Sequence, residues 1–251
     1  MFEVFLKFHD GLNFFLEATR RKGRFARWLR EPTSVKDLIE SCGVPHPEVD
    51  VILANGQPVV FGSMVKAGDE FEVYPVLTSD AFEPAVRLQR RPLLNARFVA
   101  DGHLGKLARY LRILGFDVAY DPMAEDAWLI EVMRKDSRAL LTRDRRLLMH
   151  KVVRHGFCPR SQDAGKQTVE VVLRFGLADA LRPFQRCMAC NGLLRPVSKE
   201  LILDKLEPKT RFYYQKFSRC SSCEKIYWQG SHYRPLQDII ETIKRETKSP
   251  N

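Results

Sequence analysis

The chain has 251 residues, 45% of them hydrophobic and 29% charged, and carries a net charge of +10. That length allows one large domain or two to three small ones, and the apolar share excludes a disordered chain. No apolar run reaches the roughly 20 residues of a membrane helix, and MFEVFLKFHDG lacks a signal-peptide layout, so a cytoplasmic protein is expected.

Residues 1–80 read as a small α+β unit. FEVFLKF alternates apolar and polar positions as a half-buried strand does, and a basic stretch from Arg20 to Arg30 follows it. Ser34 is placed to cap a helix over VKDLIESCGV, and Gly43 to end it. VDVILANGQPVVF predicts a hairpin turning at Asn55-Gly56, and KAGDEFEVYPV a last strand after a Gly68-Asp69 turn. This order, with its GDEFEVYPV ending, resembles the β-grasp fold of ubiquitin and the small sulfur carriers. Those carriers end in a free Gly-Gly, whereas this strand runs on into LTSDAFEP. Conjugation chemistry is therefore not expected; docking of a protein partner is.

A Pro-containing basic linker is expected over 81–95, so that a chain begun near Arg91 should keep its fold. Residues 96–185 then alternate strands and helices. RFVAD, FDVAYD and RALLTRD are strands, separated by the helices HLGKLARYLRILG, with Gly115 as its stop, and EDAWLIEVMRKDS. DRRLLMHKVVRHG and TVEVVLRFGLADAL supply further helical and strand material. The alternation implies a mainly parallel sheet with right-handed crossovers.

Ligands of open α/β sheets bind at the C-terminal strand ends, where this chain places Asp101, Asp121 and Asp144; Asp126 opens the second helix. Grouped carboxylates repel unless a cation offsets them, and Mg2+ or Mn2+ suits oxygen-only sites. Each aspartate also suits a helix cap. Lys106, Arg109 and Arg112 recur at intervals of three along a helix flank, and Arg143 and Arg145 bracket Asp144. All five read as phosphate-guiding RNA contacts, the three on the helix flank alternatively as a solvated face.

Cys187-x2-Cys190 and Cys220-x2-Cys223 have the spacing of a closed four-thiolate zinc site, with two disulfides as the other use of four cysteines. Such a site has no open coordination position, so its metal is a structural clip. In the first knuckle Asn191-Gly192 are expected to supply positive φ. Cys42 and Cys158 stand apart and read as buried small hydrophobes. Between the knuckles, Arg211, Phe212, Tyr213, Tyr214, Lys216, Phe217 and Arg219 interleave cations and aromatics, to meet RNA or to pack the ribbon. His232 follows as a phosphate-orienting or structural histidine, and LQDIIETIKRETKSPN as an amphipathic helix with a basic tail. Charge sharpens the choice of partner. Residues 1–80 are net −3, 81–185 net +7 and 186–251 net +6, a basic excess that favours nucleic acid.

ADGHLGKLARYLRILGFDVAYD, LLTRDRRLL and the cysteine tail ending CEKIYWQGSHY together resemble the Mut-seven C-terminal RNase family, over roughly residues 96–235. The resemblance implies a PIN-like fold with a zinc ribbon, often preceded by a β-grasp segment, and metal-dependent ribonuclease activity. By position it assigns Asp101, Asp126 and Asp144 to the acidic metal site. Asp121 or Glu125 could exchange roles with Asp126, and Asp163 falls near a fourth acid without a motif to anchor it. The expected architecture is α/β: a β-grasp domain (1–80), a linker (81–95), a PIN-like mainly parallel sheet domain (96–185), and a zinc ribbon with a C-terminal helix (186–251). A non-catalytic RNA-binding or ribosome-associated adaptor is the competing function.

Overall fold

A computed structural model describes the chain apart from Lys22, residues 77–81 and 90–95, His232 and residues 249–251. Two compact units emerge, one made of residues 1–94 and 125–160, the other of 95–124 and 161–251. Among the described residues no helix is long and apolar enough to cross a membrane.

In the first unit, β1 (Phe2–Phe8) buries Val4, Leu6 and Phe8 on one face, as its alternation predicts. A 3-10 turn over Asp10–Phe15 adds Leu12 and Phe15 to that core before β2 (Phe25–Leu29) pairs antiparallel with β1. The Ser34 Oγ accepts the Asp37 N–H at 3.1 Å and caps α1 (Val35–Ser41). β3 (Val49–Ala54) and β4 (Gln57–Pro58) form the expected hairpin, with Asn55 and Gly56 both left-handed at φ 51° and 76°. That pair of angles is what a two-residue type I′ turn demands. β5 (Glu70–Pro75) lies parallel to β1 and antiparallel to β3, giving the order β2-β1-β5-β3-β4. The β-grasp reading therefore holds as far as β5, with residues 77–80 outside the described residues. Of the expected linker, Ala81 and residues 90–95 lie outside the described residues. Leu88 and Gln89 do not hang loose. Their N–H groups donate to the Asp50 carbonyl at 2.6 Å and to Asp50 Oδ1 at 2.8 Å, and Gln89 is buried.

β6 (Arg97–Ala100), α2 (Gly105–Ile113) and β7 (Asp117–Tyr120) make a parallel β-α-β step in the second unit. Leu107, Ala108 and Leu111 form the inward stripe of α2. α3 (Asp126–Asp136), β8 (Ala139–Leu141), α4 (Arg145–Leu148) and β9 (Gly156–Phe157) belong to the first unit, where β8 and β9 are again parallel. There the chain past β9 packs on the 3-10 turn His46–Glu48. Glu48, 2% exposed, accepts the Cys158 N–H at 2.7 Å and both terminal nitrogens of Arg160, at 3.2 and 2.7 Å. His46 Nε2 stands 2.8 Å from the Val153 carbonyl, and the Arg160 guanidinium lies 4.5 Å from the Phe157 ring centre. These bonds give buried polar groups the partners they need.

α5 (Ala164–Arg174) opens at Asp163, whose Oδ1 accepts the Lys166 N–H at 2.9 Å. β10 (Leu194–Val197), β11 (Phe217–Cys220) and β12 (Ile226–Trp228) form an antiparallel ribbon. The stretch between the knuckles holds β10, and then a 3-10 turn over Lys199–Lys205 with α6 (Pro208–Tyr213). Ile202, Leu206 and Phe217 are the ribbon core, with Tyr214 packed against them, while Phe212 and Tyr213 are exposed. The aromatic run therefore divides between packing and surface. α7 (Tyr233–Lys248) turns Ile240 and Ile243 inward and packs on α5.

Candidate active site and metal centre

The aspartates sit where strands hand over to helices. Asp101 follows directly on β6, and its Oδ1 accepts the His103 N–H at 3.2 Å. Asp121 follows β7 and accepts the Met123 N–H at 2.8 Å. Asp144, three residues past β8, accepts the Arg146 and Leu147 N–H groups on Oδ1 at 2.7 and 3.1 Å. Asp126 is the first residue of α3 and is exposed. Asp101, Asp144 and Asp163 thus all act as helix caps in their own surroundings. A carboxylate has about four lone-pair sites, so capping through one oxygen is compatible with holding a cation.

The five basic residues divide. Lys106 and Arg109 are exposed on α2, as a phosphate-guiding flank requires. Arg112 is not on that flank: it is 3% exposed. Its Nε and Nη2 donate to the Val118 carbonyl at 3.1 and 2.8 Å, and Nη1 to the Met188 and Ala189 carbonyls at 3.2 and 2.9 Å. A three-residue interval advances about 300° around a helix, so the third member drifts back toward the apolar stripe. Burial works against the Arg112 charge, and the Cys190 and Cys187 sulfurs and the Asp117 carboxylate favour it. Arg143 is partly buried. Arg145 is committed within the first unit, donating to the Phe15 carbonyl at 2.9 Å with its guanidinium 5.2 Å from that ring's centre.

The four cysteines do converge. The sulfurs of Cys187, Cys190, Cys220 and Cys223 all lie within 4.8 Å of one another, the one such group of potential ligands among the described residues. Cys187 and Cys223 are 3.6 Å apart, Cys190 and Cys220 3.4 Å. All four are free thiols, which sets the disulfide reading aside, and their sulfurs lie close enough to hold one metal ion. The two knuckles are built alike. Asn191 and Glu224, each directly after the second cysteine of its pair, are left-handed at φ 71° and 59°. Gly192 is needed for space rather than for φ: a Cβ there would lie 2.5 Å from the Ser222 Oγ and 2.7 Å from the Cys220 sulfur. Burial raises the Cys187 thiol, but the Tyr227 hydroxyl at 3.0 Å and the backbone of Cys190 and Ala189 outweigh it and bring it below the usual thiol range.

A second layer fixes the first knuckle to β7. The Asn191 side chain accepts the Val118 N–H at 3.0 Å and donates to Asp117 at 2.8 Å. Arg186 pairs with Asp117 at 3.3 Å and donates to the Asn191 carbonyl at 3.0 Å. Sequence reading missed this layer, because a lone Arg or Asn shows its partners only when β7 and the knuckle meet. Arg112→Ala is expected to cost about 3 kcal/mol or more and to speed metal loss to a chelator, since carbonyls are left unpaired. Arg112→Lys should not restore retention, because an ammonium cannot reproduce the fork. Chelator-competition kinetics with urea titration measure both; wild-type retention in the Ala variant would show the layer to be idle. Cys42 and Cys158 are buried, and burial pushes both thiols up, Cys158 to about 11, so neither serves as a nucleophile.

Residues 96–240 match the Mut7-C RNAse domain, and residues 1–80 match the Mut7-C ubiquitin domain. The chain belongs to the Mut7-C RNAse family, with the family's ubiquitin-like domain at its N-terminal end. No curated protein and no solved structure matches it.

Proposed function

We propose that the protein is a metal-dependent ribonuclease of the cytoplasm that cleaves RNA phosphodiester bonds through Asp101, Asp126 and Asp144. The observation that carries this reading is the RNAse-domain match over residues 96–240, supported by the siting of Asp101 and Asp144 past parallel strands. Carboxylate oxygens are the donor set that suits Mg2+ or Mn2+. When bound, such an ion activates water and neutralises charge on the phosphodiester. The residues' own work is to present three carboxylates from strand and helix ends, while Lys106 and Arg109 hold backbone phosphates. Incubating the pure protein with an RNA pool, with and without Mn2+, tests this. Cleavage that appears with Mn2+ and disappears with EDTA is the expected result; an intact pool under both conditions would overturn it.

A second reading is a non-catalytic RNA-binding or ribosome-associated adaptor. The capping bonds of Asp101 and Asp144 favour it, since they give both residues a structural use. In either reading the β-grasp domain offers a protein-docking surface, with Trp28 on the sheet-edge strand β2 61% exposed.

The metal of the four-cysteine site is structural zinc. Tetrahedral bonds of about 2.3 Å place sulfurs about 3.8 Å apart, and the observed pairs at 3.4 and 3.6 Å fit. Purified, reduced protein should contain one zinc per chain, and chelation should loosen residues 186–235 before the β-grasp segment. Elemental analysis and hydrogen exchange read the two outcomes; a zinc-free folded chain would remove the assignment.

A further inference from the structure

A cleft of about 690 Å³ lies between the ribbon and the start of α7, within the range of ligand sites. Its walls carry Phe184, Phe217, Trp228 and Tyr233, and no acidic side chain lines it among the described residues. Phe184 and Tyr233 stack at 4.8 Å between ring centres, and Trp228 is 40% exposed although its neighbour Phe217 is buried. Phe184 holds its ring there from a left-handed backbone, φ 60°, which a bulky residue rarely adopts. Exposed Lys216 and Lys225 also line the cleft, in a segment of net charge +6.

Aromatic walls alone would suit any apolar ligand. Aromatic walls beside two ammonium groups, without a carboxylate, suit a ligand that alternates flat bases with negative phosphates. We infer that this cleft is a base-stacking subsite for single-stranded RNA, in which an unstacked base lies on Trp228 beside the Phe184–Tyr233 pair while Lys216 and Lys225 meet the flanking phosphates. The inference rests on the RNA reading above and adds a place and a strand preference. Duplex RNA keeps its bases stacked within the helix, so the subsite selects unpaired segments.

The test uses the full chain carrying Trp28→Phe and Trp128→Phe, which leaves Trp228 as the sole tryptophan. A short oligoadenylate and an abasic strand of equal length are titrated while anisotropy and tryptophan emission are read. Binding with quenching by the oligoadenylate, and binding without quenching by the abasic strand, is the expected result. In the otherwise unaltered chain, Trp228→Ala should weaken oligoadenylate binding about tenfold with zinc content unchanged, and Trp228→Phe should retain most of it. Binding without quenching, equal quenching by the abasic strand, or wild-type affinity in Trp228→Ala would overturn the subsite and leave the RNA reading intact. Absence of any RNA binding by the unaltered chain would overturn both.

Discussion

Asp144→Asn is expected to lower Mn2+-dependent RNA cleavage by more than about a hundredfold while leaving the melting temperature unchanged or slightly raised. Even ligand-supporting groups around a metal typically account for factors of ten to a hundred, so a ligand itself should matter at least as much. The structural role of Asp144 survives the change. Its Oδ1 accepts the Arg146 and Leu147 N–H groups, and an Asn oxygen caps about as well as an Asp oxygen. If Asp144 shares a cation with Asp101 and Asp126, removing its charge also relieves repulsion in the metal-free protein. Asp144→Ala separates the two roles, because it should lose activity and also about 1 kcal/mol of stability through the lost cap. Asp101→Asn and Asp126→Asn should follow Asp144→Asn in activity. Full cleavage in all three Asn variants would take these aspartates out of the catalytic role and leave Asp101 and Asp144 as caps alone.

Glu48→Ala is expected to destabilise the protein by about 3–5 kcal/mol, enough to remove much of a domain's stability. Glu48 is buried and is the acceptor for the Cys158 amide and for the Arg160 guanidinium. The substitution removes the carboxylate that pairs with the part-buried Arg160 guanidinium and accepts the buried Cys158 N–H. A Glu48→Gln variant keeps an oxygen for the Cys158 N–H and should lose less, and Glu48→Leu with Arg160→Met should recover part of the loss. Urea titrations of these variants measure the ranking; a Glu48→Ala variant as stable as wild type would contradict it. The same packing revises the truncation expected from the linker composition. A chain begun near Arg91 loses Glu48, His46 and Phe15, the partners of Arg160, Val153 and Arg145 within one compact unit. Such a chain is now expected to melt far below the intact protein or to fail to fold.

The sequence by itself determined the local features whose causes are local. The Asn55-Gly56 hairpin, the Ser34 cap, the strand alternation of FEVFLKF and the cysteine knuckles all depend on residues within a few positions of one another. Strand-end aspartates were legible for the same reason, as each lies beside the strand and helix that site it. Tertiary structure decided what depends on residues distant in sequence. Arg112 and Lys106 look alike along the helix, yet one is buried and the other faces water, because the Val118 carbonyl of β7 and the Met188 and Ala189 carbonyls of the knuckle together complete Arg112. Arg145 reads as a phosphate contact until the Phe15 carbonyl, 130 residues away, takes its hydrogen bond. Gly192 was expected to be a glycine of conformation and proved to be one of space, set by Ser222 and Cys220 on the second knuckle. The aromatic cleft has the same origin: Phe184 lies ahead of the first knuckle and Trp228 and Tyr233 beyond the second, and rings recruited across that distance leave no spacing for a sequence to show.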